Sequence, residues 1–195
     1  MSRWIEPVAL RGTHVSLTPL TIDDAPALAA AAADGRLWDL WYTSVPAPGE
    51  EREYVERALA MQESLGALPF AVRDASGEIV GSTRYFNVDR ANRRLEIGHT
   101  WYAERVQRTA LNTEAKLLLL GHAFEKLDAI AVEFRTHFMN HPSRAAIARL
   151  GAKQDGILRS HQIGRDGILR DTVVFSIIAS EWPAVRANLK LKLAR

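Results

Sequence analysis

The chain has 195 residues, 47% hydrophobic and 25% charged, with 12 Gly, 8 Pro and no Cys, the balance of one globular domain burying about 70% of its unfolded surface. Without cysteine there is no disulfide framework, thiolate metal site or cysteine nucleophile. Lys plus Arg number 25 against 23 Asp plus Glu, so the formal charge of +2 gives no general drive toward nucleic acid or membrane, and a bound anion has to be held by local geometry.

The opening segment, residues 1–7, lacks the apolar core of a secretion signal, and no run approaches the ~18 apolar residues of a membrane span. A soluble cytoplasmic protein is expected, with one domain over residues 1–195 and no dividing linker. Val15 and Leu17 alternate with polar neighbours in a strand over 14–20, and Thr21-Ile22-Asp23-Asp24 caps an Ala-rich helix. After Pro46-Ala47-Pro48-Gly49, the spacing of Tyr54, Val55, Ala58, Leu59 and Met61 predicts a second helix to about Leu65. Strands over 68–73 and 78–86 flank an Asp74-Ala75-Ser76-Gly77 turn, and Asp89-Arg90-Ala91-Asn92 turns again into a strand over 94–102. A long helix from Thr109 or Asn112 to Leu127 follows, then a strand with Ile130, Val132 and Phe134 on one face, an order that predicts a parallel crossover. Asn140-His141-Pro142-Ser143 opens a helix that stops at Gly151. A hairpin of strands 157–163 and 168–178, around Gly164-Arg165-Asp166-Gly167, and a short helix after Ser180 complete an α/β domain with a mixed sheet.

The chemistry-bearing segment begins at Glu96-Ile97-Gly98-His99-Thr100-Trp101-Tyr102 and runs through Gln107, Arg108 and Thr109 into the long helix. A strand feeding a short turn and then a helix presents free backbone N–H groups at the positive end of a macrodipole, a natural seat for a pyrophosphate. In this order of elements the chain resembles the GCN5-related N-acetyltransferase superfamily, and within it the branch of ribosomal-protein N-terminal acetyltransferases. The likeness extends from Leu10-Arg11-Gly12 to Glu181-Trp182. The superfamily's phosphate loop reads Gln or Arg, two variable residues, Gly, a variable residue, then Gly or Ala. Here it reads Gln107-Arg108-Thr109-Ala110-Leu111-Asn112, with Ala110 in place of the first Gly and Asn112 in place of the last small residue. A helical φ is therefore expected at Ala110, because a methyl group disfavours positive φ. Glu96-Ile97-Gly98 is similar to the branch's Glu-x-Gly, and Asn140-His141-Pro142-Ser143 with Leu150-Gly151-Ala152 to its Asn-x-x-Ser helix ending in Leu-Gly.

The resemblance implies a GNAT fold, with a mostly antiparallel sheet, flanking helices and a splayed central strand pair, and acetyl-CoA as co-substrate without a metal. It implies that His99, Thr100 and Trp101 face the pantetheine arm, with an N–H near Thr100 or Trp101 on the thioester carbonyl. Gln107, Arg108, Thr109, Ala110, Leu111, Asn112 and Thr113 would hold the phosphates, and Asn140, Ser143 and Arg144 would complete the CoA contacts. Glu96 is the candidate base acting through water, and Ser143 the fallback donor to the leaving thiolate, since the family's Tyr position is Ile147. Trp38, Trp41 and Tyr42 lie where the family binds its acceptor.

Each assignment has a plainer counterpart. Glu96 would pair with Arg84 or Arg94, Asn140 and Ser143 would only cap a helix, Arg105, Arg108 and Arg144 would be solvated charges, and the aromatic trio would be core. His99, His137 and His141 lack metal-ligand spacing. The favoured acceptor is a peptide N-terminal α-amine, with a small amine, or an acyl-CoA-binding protein without turnover, as the alternatives. The C-terminal strands are compatible with a homodimer.

Overall fold

The computed structural model describes residues 4–164 and 167–194; Arg165 and Asp166, in the expected C-terminal hairpin turn, lie outside the described residues. The elements are β1 (Leu10–Arg11), β2 (Val15–Pro19), α1 (Ala25–Ala33), α2 (Glu51–Leu65), β3 (Leu68–Asp74), β4 (Ile79–Asp89) and β5 (Arg94–Tyr102). They continue with α3 (Ala110–Glu125), β6 (Ala131–His137), α4 (His141–Leu150), β7 (Lys153–Ile163), β8 (Leu169–Ile178) and α5 (Trp182–Leu193). Local chemistry explains the turns. Asp74 accepts the N–H groups of Ser76 and Glu78 at 2.9 and 3.1 Å, and Asp89 accepts the Asn92 N–H at 2.9 Å, so each carboxylate folds its own hairpin.

The eight strands form one sheet in the order β1-β2-β3-β4-β5-β6-β8-β7. Among the described pairings, β5 with β6 is parallel and the others are antiparallel, as the α3 crossover requires. The sheet is covered on both faces. Arg84 of β4 points to α2, over the Tyr54 ring; the adjacent Tyr85 points the other way, donating its hydroxyl to the Leu119 carbonyl of α3 at 2.6 Å. Behind α3, Trp182 of α5 stacks on Phe124 and donates to Glu125 at 2.8 Å.

Three expectations change. Ile130 precedes β6 and is 43% exposed, whereas Val132 and Phe134 are buried; its backbone joins Arg93 and Ala179 across the strand entrance instead. The last helix is a 12-residue element whose Trp182, Val185 and Leu189 are buried. The arm expected over 157–163 begins at Lys153, because it pairs with β8 from Lys153↔Ser176 onward.

Gly98 shows why Glu-x-Gly stands here. A Cβ at Gly98 would sit 2.5 Å from Phe86 Cε1, and Phe86 packs edge-on against His99 at 4.9 Å. Gly98→Ala is expected to cost about 1–3 kcal/mol through overpacking, measured as a lower Tm in a thermal melt; an unchanged Tm would show that Phe86 yields freely.

Candidate active site

The parallel pair holds together for a short distance only. Arg94, Leu95 and Glu96 register with Ala131, Val132 and Glu133, and beyond Glu96 the two strands are no longer paired although both continue, to Tyr102 and His137. On the β4 side the register runs from Ser82↔Trp101 to Arg84↔Gly98, so β5 carries one extra residue, and His99 stands there at φ 49°. Such a bulge bends a strand and re-aims its groups. The bulge and the parting strands open a cleft of about 720 Å³.

Glu96 sits at the fork and is 2% exposed. It accepts a hydrogen bond from Asn87 Nδ2 at 2.8 Å and faces Arg135 Nε at 3.4 Å. Burial pushes its carboxyl up to about 7, against the opposing pull of Asn87 and Arg135. Neither Arg84 nor Arg94 is its partner: Arg94 pairs with Glu133 at 2.6 Å, and Arg84 meets Met61 Sδ. His99 is pushed down to about 3 by burial and by the charges of Arg84 and Arg170, so it is neutral at pH 7 and is not an imidazolium acid.

At the far end α3 begins. Thr109 is its N-cap and accepts the Leu111 N–H at 3.3 Å. Ala110 is the first helical residue, which meets the expectation for its φ. Arg108, at φ 60°, and Gln107 line the cleft. Asn112 Oδ1 is buried in its wall without a hydrogen-bond partner among the described residues. On the opposite wall, Asn140 caps α4 by accepting the Ser143 N–H at 3.1 Å, and both residues line the cleft with Ile147.

Sequence reasoning brought together Glu96, His99, Thr100, Trp101, Gln107, Arg108, Asn112, Asn140, Ser143, Trp41 and Tyr42, which all border this cleft. Thr109, Ala110 and Leu111 border a separate hollow of about 280 Å³ on the other side of the helix start. Thr113 is buried and accepts from Arg149 at 2.8 Å. Arg144 folds back on Phe138, donating to its carbonyl at 3.1 Å. Trp38 packs against the core and is not among the lining residues. Arg105 is a structural tie, bound to Asp34 and Glu78 at 2.9 Å each.

Residues missed by sequence reasoning cluster at two points. His137 closes the fork: its Nδ1 accepts the Met139 N–H at 3.0 Å, which leaves the proton on Nε2, buried and unpartnered among the described residues. Trp41 stands edge-on to its ring at 4.8 Å. Lys116 of α3 is 5% exposed and also lines the cleft. Its signal in the sequence is a lysine one turn after Asn112, inside an apolar helix face. Among the described residues no group of three or more His, Asp or Glu is placed to hold a metal ion, and no helix is long and apolar enough to cross a membrane.

Residues 14–153 match the family model described as the acetyltransferase (GNAT) domain. The Bacillus subtilis (strain 168) protein named "Putative ribosomal N-acetyltransferase YdaF" is 31% identical over 106 residues, 54% of this chain and 57% of that protein; the match thus spans little more than half of that relative. The crystal structure of a GCN5-related N-acetyltransferase from Brucella melitensis superposes with a TM-score of 0.85 at 33% identity, covering 97% of this chain and 86% of that one. Mycobacterium smegmatis RimJ, in complex with CoA-disulfide, has a TM-score of 0.76 at 25% identity, covering 95% and 93%.

Proposed function

The chain belongs to the acetyltransferase (GNAT) family, and from that premise we propose that it transfers an acetyl group from acetyl-CoA directly to a primary amine, the favoured acceptor being a protein or peptide N-terminal α-amine. The observation that carries this reading is the buried Glu96 carboxyl at the fork of β5 and β6.

The residues present fit CoA. The orphaned Asn112 Oδ1 offers an acceptor for an amide or hydroxyl proton, the start of α3 offers N–H groups for phosphate, and Arg108 adds charge beside them. The unpaired backbone of β5 beyond Glu96 suits the amides of a pantetheine arm. Acetyl-CoA, when bound, supplies the activated acyl group; the protein supplies proton acceptance and orientation. An α-amine titrates near ~8 and a lysine near ~10.4, so a base at about 7 is far better matched to the α-amine. Glu96 takes that proton through water, held in place by Asn87 and Arg135. Ser143 hydrogen-bonds the arm from the α4 side. The name of one relative, a ribosomal N-acetyltransferase, supports a protein acceptor. The reaction belongs in the cytoplasm, and the exposed β7 edge, with Ile157, Leu158 and Ile163 outward, supports a homodimer that sedimentation would detect.

Calorimetric titration with acetyl-CoA, followed by thiol release over a panel of peptides and small amines, tests the proposal. Binding with kcat/KM highest on peptides is expected. No binding at millimolar acetyl-CoA removes the activity, and higher kcat/KM on free small amines removes the peptide acceptor.

Trp41, 56% exposed and edge-on to His137, is placed to meet the acceptor. Trp41→Ala is expected to raise the peptide KM about tenfold, roughly the worth of one aromatic contact, with kcat nearly unchanged in steady-state assays. An unchanged KM would leave Trp41 a packing residue.

A further inference from the structure

Lys116 lies in the second turn of α3, 5% exposed. Among the described residues its ammonium has one hydrogen-bond partner, Thr100 Oγ1 at 3.1 Å, which is itself bonded to Thr83 Oγ1 at 2.7 Å. No carboxylate among those residues offsets its burial, and desolvation pushes the group down to about 7. The nearby Glu114 is committed elsewhere, to the backbone between β1 and β2. Burying an unpaired ammonium is costly, and packing gives no reason for it, since the same helix fills its core with Leu119 and Leu120. Lys116 nevertheless lines the cleft with Thr100 and Asn112, and α4 contributes Ser143 and Ile147 to the same lining. Ile147 carries no proton to donate.

We propose that Lys116 is the proton donor to the CoA thiolate that leaves during acetyl transfer, a role that rests on the acetyltransferase reading above. The amine lone pair forms the N–C bond, the C–S bond breaks and its electron pair leaves on sulfur. Lys116 Nζ gives that sulfur a proton and becomes a neutral amine, while the proton shed by the acceptor nitrogen reaches the Glu96 carboxylate. Solvent then removes one proton from Glu96 and returns one to Lys116, so the cycle closes with free CoA thiol and the acetylated amine. Thr100 orients Nζ throughout.

Two measurements on Lys116→Met, which keeps the side-chain volume, test this role. In steady-state assays kcat is expected to fall about 100-fold, the lower end for a lost proton donor, with the acetyl-CoA KM within about threefold. In pH profiles of kcat, wild-type turnover should fall tenfold per unit on the alkaline side of about pH 7, where Lys116 loses its proton, and the variant should lose that limb. Lys116→Arg, still cationic but unable to release a proton, should lose turnover and show no such limb. An unchanged kcat, or a loss confined to acetyl-CoA affinity, overturns the proposal, as does an alkaline limb shared by wild type and Lys116→Met. Wild-type protein that binds no CoA defeats the acetyltransferase reading itself, a result distinct from binding with normal Lys116→Met turnover.

Discussion

Glu96→Gln is expected to lower kcat by about 10²–10⁴-fold, the range for removing a general base, while acetyl-CoA affinity measured by calorimetry stays within about twofold. The substitution is isosteric and keeps an acceptor for Asn87, which donates to the carboxylate at 2.8 Å, so the cleft keeps its shape. Glu96 is raised to about 7 by burial, and only the ionised form accepts a proton. Wild-type kcat/KM should therefore fall tenfold per unit on the acid side of about pH 7, and the variant should lose that limb.

The same shift acts on stability. An unfolded glutamate titrates near 4.3, so between about pH 4.5 and 7 the native state binds more protons than the unfolded state. Stability then declines as pH rises through this window, and the cost, up to about 3 kcal/mol, is fully present above 7. Glu96→Gln should raise Tm at pH 8 and leave it nearly unchanged at pH 4. Turnover at the wild-type rate would remove Glu96 from the chemistry, and a Tm gain alone would then mark it as a merely buried acid.

Chain order carries the architecture in this sequence, but contacts between distant strands do not. The parallel crossover is legible because a helix separates the segments that become β5 and β6, and connection rules leave few alternatives. Glu96 is legible as the start of Glu-x-Gly. Its partners are not, because Asn87 and Arg135 reach it through the registers of β4 and β6, which no local pattern announces, and the β4 register also shifts at the His99 bulge. Trp38 and Trp41 look equivalent in the sequence. Trp38 sits within a single-turn 3₁₀ helix over Leu37–Asp39 and packs on the core, whereas Trp41, just beyond that turn, lines the cleft. Lys116 is hidden by rule: a lysine in a leucine-rich helix is read as the solvent face, and only the helix's packing shows that this one points inward.

Glu114→Ala is the substitution expected to cost most in stability, and its effect should reach the cofactor site. The Glu114 carboxylate accepts the backbone N–H groups of Thr13, His14 and Val15 at 2.9, 2.5 and 3.0 Å, tying α3 to the segment between β1 and β2. Alanine leaves three donors without that acceptor. Water can reach Thr13 and His14, which are exposed, but Val15 is 2% exposed, so the net loss should be about 3 kcal/mol rather than three full penalties. For a chain of this length that is a Tm drop of about 6–12 °C. Glu114 sits one turn from Ala110, where α3 presents its N–H groups. Loosening the tie should weaken acetyl-CoA binding about tenfold, with kcat at saturation preserved. Gly12 provides the control. A Cβ there would collide with the Glu114 carboxyl, so Gly12→Ala and Glu114→Ala disrupt one contact and should combine sub-additively. Glu114→Ala and Glu96→Gln act at separate points and should add. Additive losses for Gly12→Ala with Glu114→Ala would mean that the carboxylate does not fasten the turn.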